Sequence, residues 1–277
     1  KWLGVFLFLP LVLPGGMKPA PESTIVEVLD AGQGTAVTVS TPQHLLLYDT
    51  GPGDGGEINL VDSVILPAVR RSGHAAPDLV VVSHGDLDHA GGLQTLRRYF
   101  PHSDLRVNAP DDPAYPCVFG WNWLWDGFHF RALHPSPGLP YMKNDSSCVL
   151  GMRGAEVSLL LTGDISSQVE SRLVAEGDIQ HDVLLVPHHG SKSSSATAFI
   201  EKVQPKLAIA TASLGNRFGF PREEVRERYR QAGVSLLSTG ECGAIRLLLK
   251  DGKIRSVNSA RRERKRIWRW PPEQNCP

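Results

Sequence analysis

Within six consecutive residues the chain places two imidazoles and two carboxylates: His84-Gly85-Asp86-Leu87-Asp88-His89. The cluster starts where the apolar run Leu79-Val80-Val81-Val82, a buried strand by its composition, gives out, and Ala90-Gly91-Gly92 follows it. Such groups crowded at a strand end are poorly satisfied unless a cation sits between them. The pattern therefore predicts a divalent metal site, most simply with two ions. An isolated His-x-Asp would read as a polar loop facing water; four ligand types in this order argue against that. Similar groups recur where other apolar runs stop: Asp49 after 44–48, Asp164 after Leu161-Thr162-Gly163, and His188-His189 after 183–186. Each has a plainer reading alone, as a turn cap for Asp49, a helix N-cap for Asp164 and a structural pair for the two histidines. Ser191, Lys192 and Ser193 lie where a phosphate could be held, or form a serine-rich helix cap beside a solvent-facing lysine.

To bring these groups to one edge, the chain needs strands that end together. Residues 24–29, 35–40 and 44–48 read as a meander with a turn at Asp30-Ala31-Gly32-Gln33-Gly34. Residues 57–70 have helical spacing interrupted by Pro67, and 93–99 form a helix beside the metal loop. Strands follow at 105–107, 128–133, 147–152, 157–161, 183–186, 206–211, 234–237 and 244–249. Helices are expected at 165–175 and at 221–231, the latter with Pro221 in its first turn. Trp121, Trp123 and Trp125 alternate, which predicts packing on one sheet face, with a base-stacking platform as the alternative. Meanders in both halves with interleaved helices argue for two sheets covered outside by helices.

Composition sets few limits. The chain has 277 residues, 41% hydrophobic and 21% charged, as expected of a folded domain. Its formal net charge is zero, so any electrostatic steering must come from local patches. Cys117, Cys148, Cys242 and Cys276 form no Cys-x-x-Cys pair, which argues against a zinc ribbon and permits disulfides without requiring them. Residues 2–13 are almost wholly apolar but short of the roughly 20 residues of a full span. They read as the tail of a transmembrane helix from a longer parent chain, with a signal remnant or a buried segment as alternatives. The expected division is 1–22 as membrane-segment end and linker, 23–258 as the domain carrying the metal cluster and 259–277 as a basic, aromatic tail. In that tail Arg261, Arg262, Arg264, Lys265, Arg266 and Arg269 surround Trp268 and Trp270, suited to nucleic acid or to an anionic membrane surface.

With Asp86 in place of a second imidazole, residues 84–89 resemble the His-x-His-x-Asp-His motif of the metallo-β-lactamase-fold hydrolases. The fuller pattern Ser-His-x-Asp-x-Asp-His-x-Gly-Gly is similar to that of the C-terminal domain of the ComEC family of competence DNA-uptake channels. Residues 29–34, Leu161-Thr162-Gly163-Asp164, Val186-Pro187-His188-His189-Gly190-Ser191 and Asn216-Arg217-Phe218-Gly219-Phe220-Pro221 agree with that family. The resemblance covers about residues 24–250. It implies an α/β fold, the metallo-β-lactamase-like αββα sandwich, with a dinuclear site between the sheets. By that pattern His84 and Asp86 hold one ion, Asp88 and His89 the other, Asp164 bridges, and His188 or His189 completes the site. Asp49 would orient a ligand. The carboxylate Asp86 hardens the site, which favours Mn²⁺ or Mg²⁺ and leaves Zn²⁺ open. Two positions depart from the family: Thr35 where Asp often follows the Gly-Gln-Gly turn, and Phe220 where His often precedes the proline.

The implied reaction is metal-dependent hydrolysis of DNA phosphodiesters, with Asp88 orienting water or accepting its proton and Lys192 and Ser191 holding phosphate. The implied setting is a plasma-membrane DNA-uptake protein that works with other competence proteins. There the domain would lie on the outer, periplasmic face and degrade the strand that is not imported. Two rivals are a small-molecule hydrolase of the same fold and a non-catalytic DNA-guiding module.

Overall fold

The structure is a computed structural model, described here for residues 16–53, 60–263 and 276–277. The apolar run 2–13 and the tail segment 264–275 lie outside the described residues. Among the described residues no helix is long and apolar enough to cross a membrane.

The long apolar runs form strands buried on both faces, and their alternate side chains serve two different layers. In β4 (Leu79–Val82), Leu79 and Val81 enter the core between the sheets, while Val80 and Val82 face an outer helical layer. The same split divides β3 (Leu45–Tyr48): Leu46 and Tyr48 point inward, Leu45 and Leu47 outward. With β1 (Ser23–Val28), β2 (Val37–Ser40), β5 (Asp104–Val107), β13 (Ile245–Lys250) and β14 (Lys253–Ser259) they make a sheet of order β14-β13-β1-β2-β3-β4-β5. The second sheet runs β12-β11-β10-β9-β8-β7-β6. Its strands are β6 (Asn122–Trp125), β7 (Phe128–His134), β8 (Val149–Arg153), β9 (Ser158–Leu161), β10 (Val183–Leu185), β11 (Leu207–Ala210) and β12 (Ser235–Ser238). Helices Leu66–Ser72 and Leu93–Tyr99 cover the first sheet, and Ser167–Glu176, Thr197–Val203 and Glu223–Gln231 cover the second. This is the expected αββα sandwich.

Each sheet is antiparallel at one side and parallel at the other. The parallel pairs are β3-β4 and β4-β5 in one sheet, and β9-β10, β10-β11 and β11-β12 in the other. Parallel strands carry their C-terminal ends to a common edge, where open α/β sheets place their sites. Asp49 follows β3, His84 follows β4, Asp164 follows β9, and the His188-His189 turn follows β10. Tyr48 links the two sheets there, its hydroxyl donating to the Cys148 carbonyl at 2.6 Å.

The meander and the strands at 105–107, 128–133, 157–161, 183–186 and 206–211 are present with small shifts of boundary. Pro67 does not interrupt the first helix. A π-helical turn, Val61–Ile65, runs directly into Leu66–Ser72, and Pro67 sits just past that junction within one continuous helical run. Pro221 lies outside its helix, whose N-cap is Arg222. The alternating tryptophans sit on or beside the edge strand β6 and pack inward, with Trp123 stacked on Phe130 at 4.7 Å. That geometry supports sheet packing over a base-stacking platform.

All four cysteines pair, as Cys117–Cys148 and Cys242–Cys276. The second bridge brings the chain end back, where Arg262 donates to the Cys276 carbonyl at 2.7 Å and Arg261 faces Asp30 at 3.6 Å. These two arginines of the basic tail are therefore engaged within the fold. The Cys117–Cys148 bridge closes a loop of 31 residues next to the strand-end edge. Replacing both of these cysteines by alanine is expected to lower the unfolding free energy by about 3 kcal/mol. Urea denaturation under oxidising conditions measures it, and an unchanged midpoint contradicts it.

Candidate metal centre

Four donor side chains converge at the strand ends: ligand atoms of Asp88, His89, Asp164 and His189 all lie within 4.8 Å of one another. Each imidazole is held from behind through Nδ1. His89 Nδ1 donates to Asp49 Oδ2 at 2.7 Å, both groups being fully buried. Asp49 also accepts from the Ser83 backbone N–H at 2.6 Å and from the Ser83 hydroxyl at 2.9 Å. With its one proton given to Asp49, the Ser83 hydroxyl can only accept from His84 Nδ1, at 3.1 Å. His189 Nδ1 donates to the Thr211 carbonyl at 2.7 Å. The Nε2 atoms of all three rings are left to face inward.

What they face is crowded. His89 Nε2 lies 3.0 Å from Asp164 Oδ1 and 3.3 Å from His189 Nε2. His189 Nε2 lies 3.2 Å from Asp88 Oδ2 and 3.4 Å from Asp164 Oδ2. Two imidazole lone pairs at this separation repel unless a cation or proton lies between them. His84 Nε2 is buried without any hydrogen-bond partner, and Asp86 Oδ2 stands 3.8 Å away. A buried nitrogen left empty beside a carboxylate fits a metal ligand, and the donor set suits a divalent ion.

The electrostatics agree. Burial and the neighbouring His89 push His84 down to about 4, leaving a neutral ring with a free lone pair. Burial opposes charge on His89, but Asp164 and Asp49 outweigh it and raise that imidazole well above its usual range. His189 is likewise raised to about 9 against burial, chiefly by Asp164 and then Asp88. Asp164, though buried, is held well below the carboxylate range by His189 and His89. Protons on two imidazoles thus occupy the place a cation would take.

The backbone is strained at this edge. Asp49, His188 and His189 have φ of 59°, 49° and 55°, left-handed conformations that cost a non-glycine residue about 1–2 kcal/mol each. Gly190 at φ 84° completes the turn and leaves no room for a side chain against Pro221. That packing orients the two adjacent histidines differently. His189 is buried within the donor group. His188 is a quarter exposed at the rim, its Nε2 3.7 Å from Asp164 Oδ2 and 3.4 Å from Asn144 Nδ2.

Ser191 is buried and its hydroxyl meets that of Ser193 at 3.0 Å, while Ser193 reaches His188 Nδ1 at 3.3 Å. Neither caps a helix: the helix Thr197–Val203 starts from Ala196, and Glu170 accepts the Ser195 and Ala196 N–H groups there. Lys192 is exposed. Asp164 is no N-cap either, since Ser166 accepts from Gln168 N–H at the start of its helix. Thr35 puts its hydroxyl 2.9 Å from that of Thr211, behind His189, so the position that departs from the family supports a site imidazole. Phe220 lies beside His189, nearly parallel to it at 6.4 Å.

The supporting hydroxyls were not legible in the sequence. Ser147 accepts from the Asp164 N–H at 3.0 Å and meets His84 Nδ1 at 3.3 Å, and Tyr141 accepts from the Gly85 N–H at 2.9 Å. The one hint was the polar stretch Asn144-Asp145-Ser146-Ser147 before a strand.

Comparison with known proteins agrees with this architecture. The chain is 34% identical to "Competence protein ComA" of Neisseria gonorrhoeae over 92% of its own length and 37% of that protein. It is 34% identical to "Recombination protein 2" of Haemophilus influenzae over 80% of its length and 28% of that protein. The chain spans about a third of the length of the curated relatives it matches. Among solved structures, the metallo-β-lactamase fold protein YhfI from Bacillus subtilis has a TM-score of 0.52 at 13% identity, covering 78% of this chain and 95% of that one, a likeness of fold alone. The model of the metallo-β-lactamase superfamily matches residues 29–212. That span ends one residue past the threonine that holds His189 and takes in every donor of the centre: the chain belongs to the metallo-β-lactamase superfamily.

Proposed function

We propose that this chain is the metal-dependent phosphodiesterase domain of a DNA-uptake protein. The observation that carries the reading is the inward convergence of His89 and His189 Nε2 on Asp88 and Asp164, with His84 Nε2 buried and unpartnered 3.8 Å from Asp86. In this reading His84 and Asp86 would hold one divalent ion and Asp88, His89 and His189 the other, with Asp164 also a ligand. The half-buried carboxylate Asp86 favours Mn²⁺ or Mg²⁺ over Zn²⁺. Bound there, the ions would polarise the phosphate and lower the pKa of attacking water.

The chain's own residues supply the rest. Asp88 is a third exposed, so it can orient water or accept its proton while contacting His189. Ser191 fixes Ser193 under His188, and Lys192 extends from the same turn toward solvent, where a phosphate oxygen can be met. DNA as substrate and other competence proteins as partners rest on the names of the relatives, and membrane attachment on the apolar start of the sequence. Pairing of all four cysteines supports an oxidising location, the outer face of the plasma membrane, where the strand not imported would be degraded. A second reading, a non-catalytic DNA-guiding module, is favoured by Phe220, a ring that cannot ligate a metal beside His189.

Mn²⁺-dependent cleavage of single- and double-stranded DNA separates these readings. Cleavage is expected and should fall at least about a hundredfold in His84→Ala and in Asp164→Ala. DNA binding without cleavage under any divalent ion favours the guiding module. The carboxylate that holds His89 from behind gives a second expectation: Asp49→Ala should weaken Mn²⁺ binding about 10–100-fold in calorimetry. The protonation pattern gives a third. His84 is neutral above about pH 4, whereas a metal must displace the protons of His89 and His189. Metal affinity should therefore rise from pH 6 to pH 9, with protons released on binding. Calorimetry in buffers of different ionisation enthalpy reads that release, and a pH-independent affinity with none released argues against these ligands.

A further inference from the structure

Three flat side chains lead out of the centre. His189 lies at 18° to Phe220, their centroids 6.4 Å apart, and Phe220 lies at 18° to Phe218 at 5.3 Å. The series runs from a buried imidazole through a half-buried ring to Phe218, which is 38% exposed. Arg217 lies over the Phe218 ring at 4.7 Å and Arg222 near Phe220 at 5.8 Å. The rings are fixed in place beforehand. The Asn216 side chain donates to the Ser213 and Phe220 carbonyls at 2.9 and 2.7 Å and accepts from the Phe220 N–H at 2.9 Å. The Arg222 N–H donates to the Gly190 carbonyl at 2.9 Å, which ties this loop to the turn carrying His188 and His189. A preset aromatic surface binds without the cost of ordering it.

We propose that Phe218 and Phe220 form a stacking subsite for a nucleobase of single-stranded nucleic acid, next to the phosphate held at the metal edge. This deepens the phosphodiesterase reading and rests on it for the bound phosphate. A base stacks on the outer face of Phe218 in place of the exposed Arg217, whose guanidinium turns to the adjoining phosphate. A duplex keeps its bases stacked on one another and cannot offer one without unpairing, so the subsite selects single strands. Aromatic faces accept every base, so no sequence preference is expected.

The test uses the full 277-residue chain and three labelled 12-nucleotide probes in fluorescence anisotropy without added metal: a single strand, an abasic strand and a duplex. The single strand should bind about tenfold more tightly than the abasic strand. Phe218→Ala should remove that difference, and Phe218→Tyr should retain it. Equal binding of base-bearing and abasic strands by the unaltered chain, or a preference that survives Phe218→Ala, overturns the subsite. Cleavage in Mn²⁺, run in parallel, keeps the two proposals apart. No cleavage beside a Phe218-dependent preference defeats only the hydrolase reading, and cleavage beside a Phe218-independent preference defeats only the stacking.

Discussion

The fully buried hydrogen bond from His89 to Asp49 is the constraint on which the rest of the centre depends. It sets which nitrogen of His89 carries the fixed proton and turns the other toward Asp164. Asp49 is held in place there by two donors of Ser83, its backbone N–H and its hydroxyl. The Ser83 hydroxyl, committed to Asp49, is then available to His84 only as an acceptor, which leaves His84 Nε2 bare. One carboxylate thereby orients two imidazoles, His89 directly and His84 through Ser83. The surrounding sandwich holds Asp49 in a left-handed conformation that short-range preferences disfavour.

Fold and chemistry are coupled through the parallel halves of the two sheets. Because β3, β4, β9 and β10 end at one edge, groups more than a hundred residues apart in sequence, such as Asp88 and His189, come to 3.2 Å. Burial at that edge does two opposed things. It strips water from the imidazoles, disfavouring their charge, and it strengthens their attraction to Asp164 and Asp49. For His84, farther from paired carboxylates, burial wins; for His89 and His189 the carboxylates win. A divalent ion would resolve both situations, accepting the free lone pair of His84 and displacing the protons of the other two.

Much of this was legible in the sequence because the strands beside the site are long apolar runs ending abruptly in His and Asp. Strand β4 and its loop are the clearest case. Strands β6 and β14 were not read as strands. They are edge strands with exposed or mixed faces, and their patterns, NWLW and KIRSVNS, lack a continuous apolar run. The choice between His188 and His189 could not be made from two identical neighbours. The difference between them comes from the Thr211 carbonyl on the next strand and from the left-handed turn. Ser147 and Thr211 carry no signal of their own, since hydroxyls at strand ends serve many local purposes. Disulfide pairing was open for the same reason: four scattered cysteines permit several connectivities.

The most direct test of the central claim is anomalous diffraction from crystals of this chain equilibrated with Mn²⁺. One peak is expected within bonding reach of His84 Nε2 and another among Asp88, His89, Asp164 and His189. A centre with these side chains in place but no anomalous density at saturating Mn²⁺ or Zn²⁺ would contradict it, and would make the histidine protons the native counter-charge.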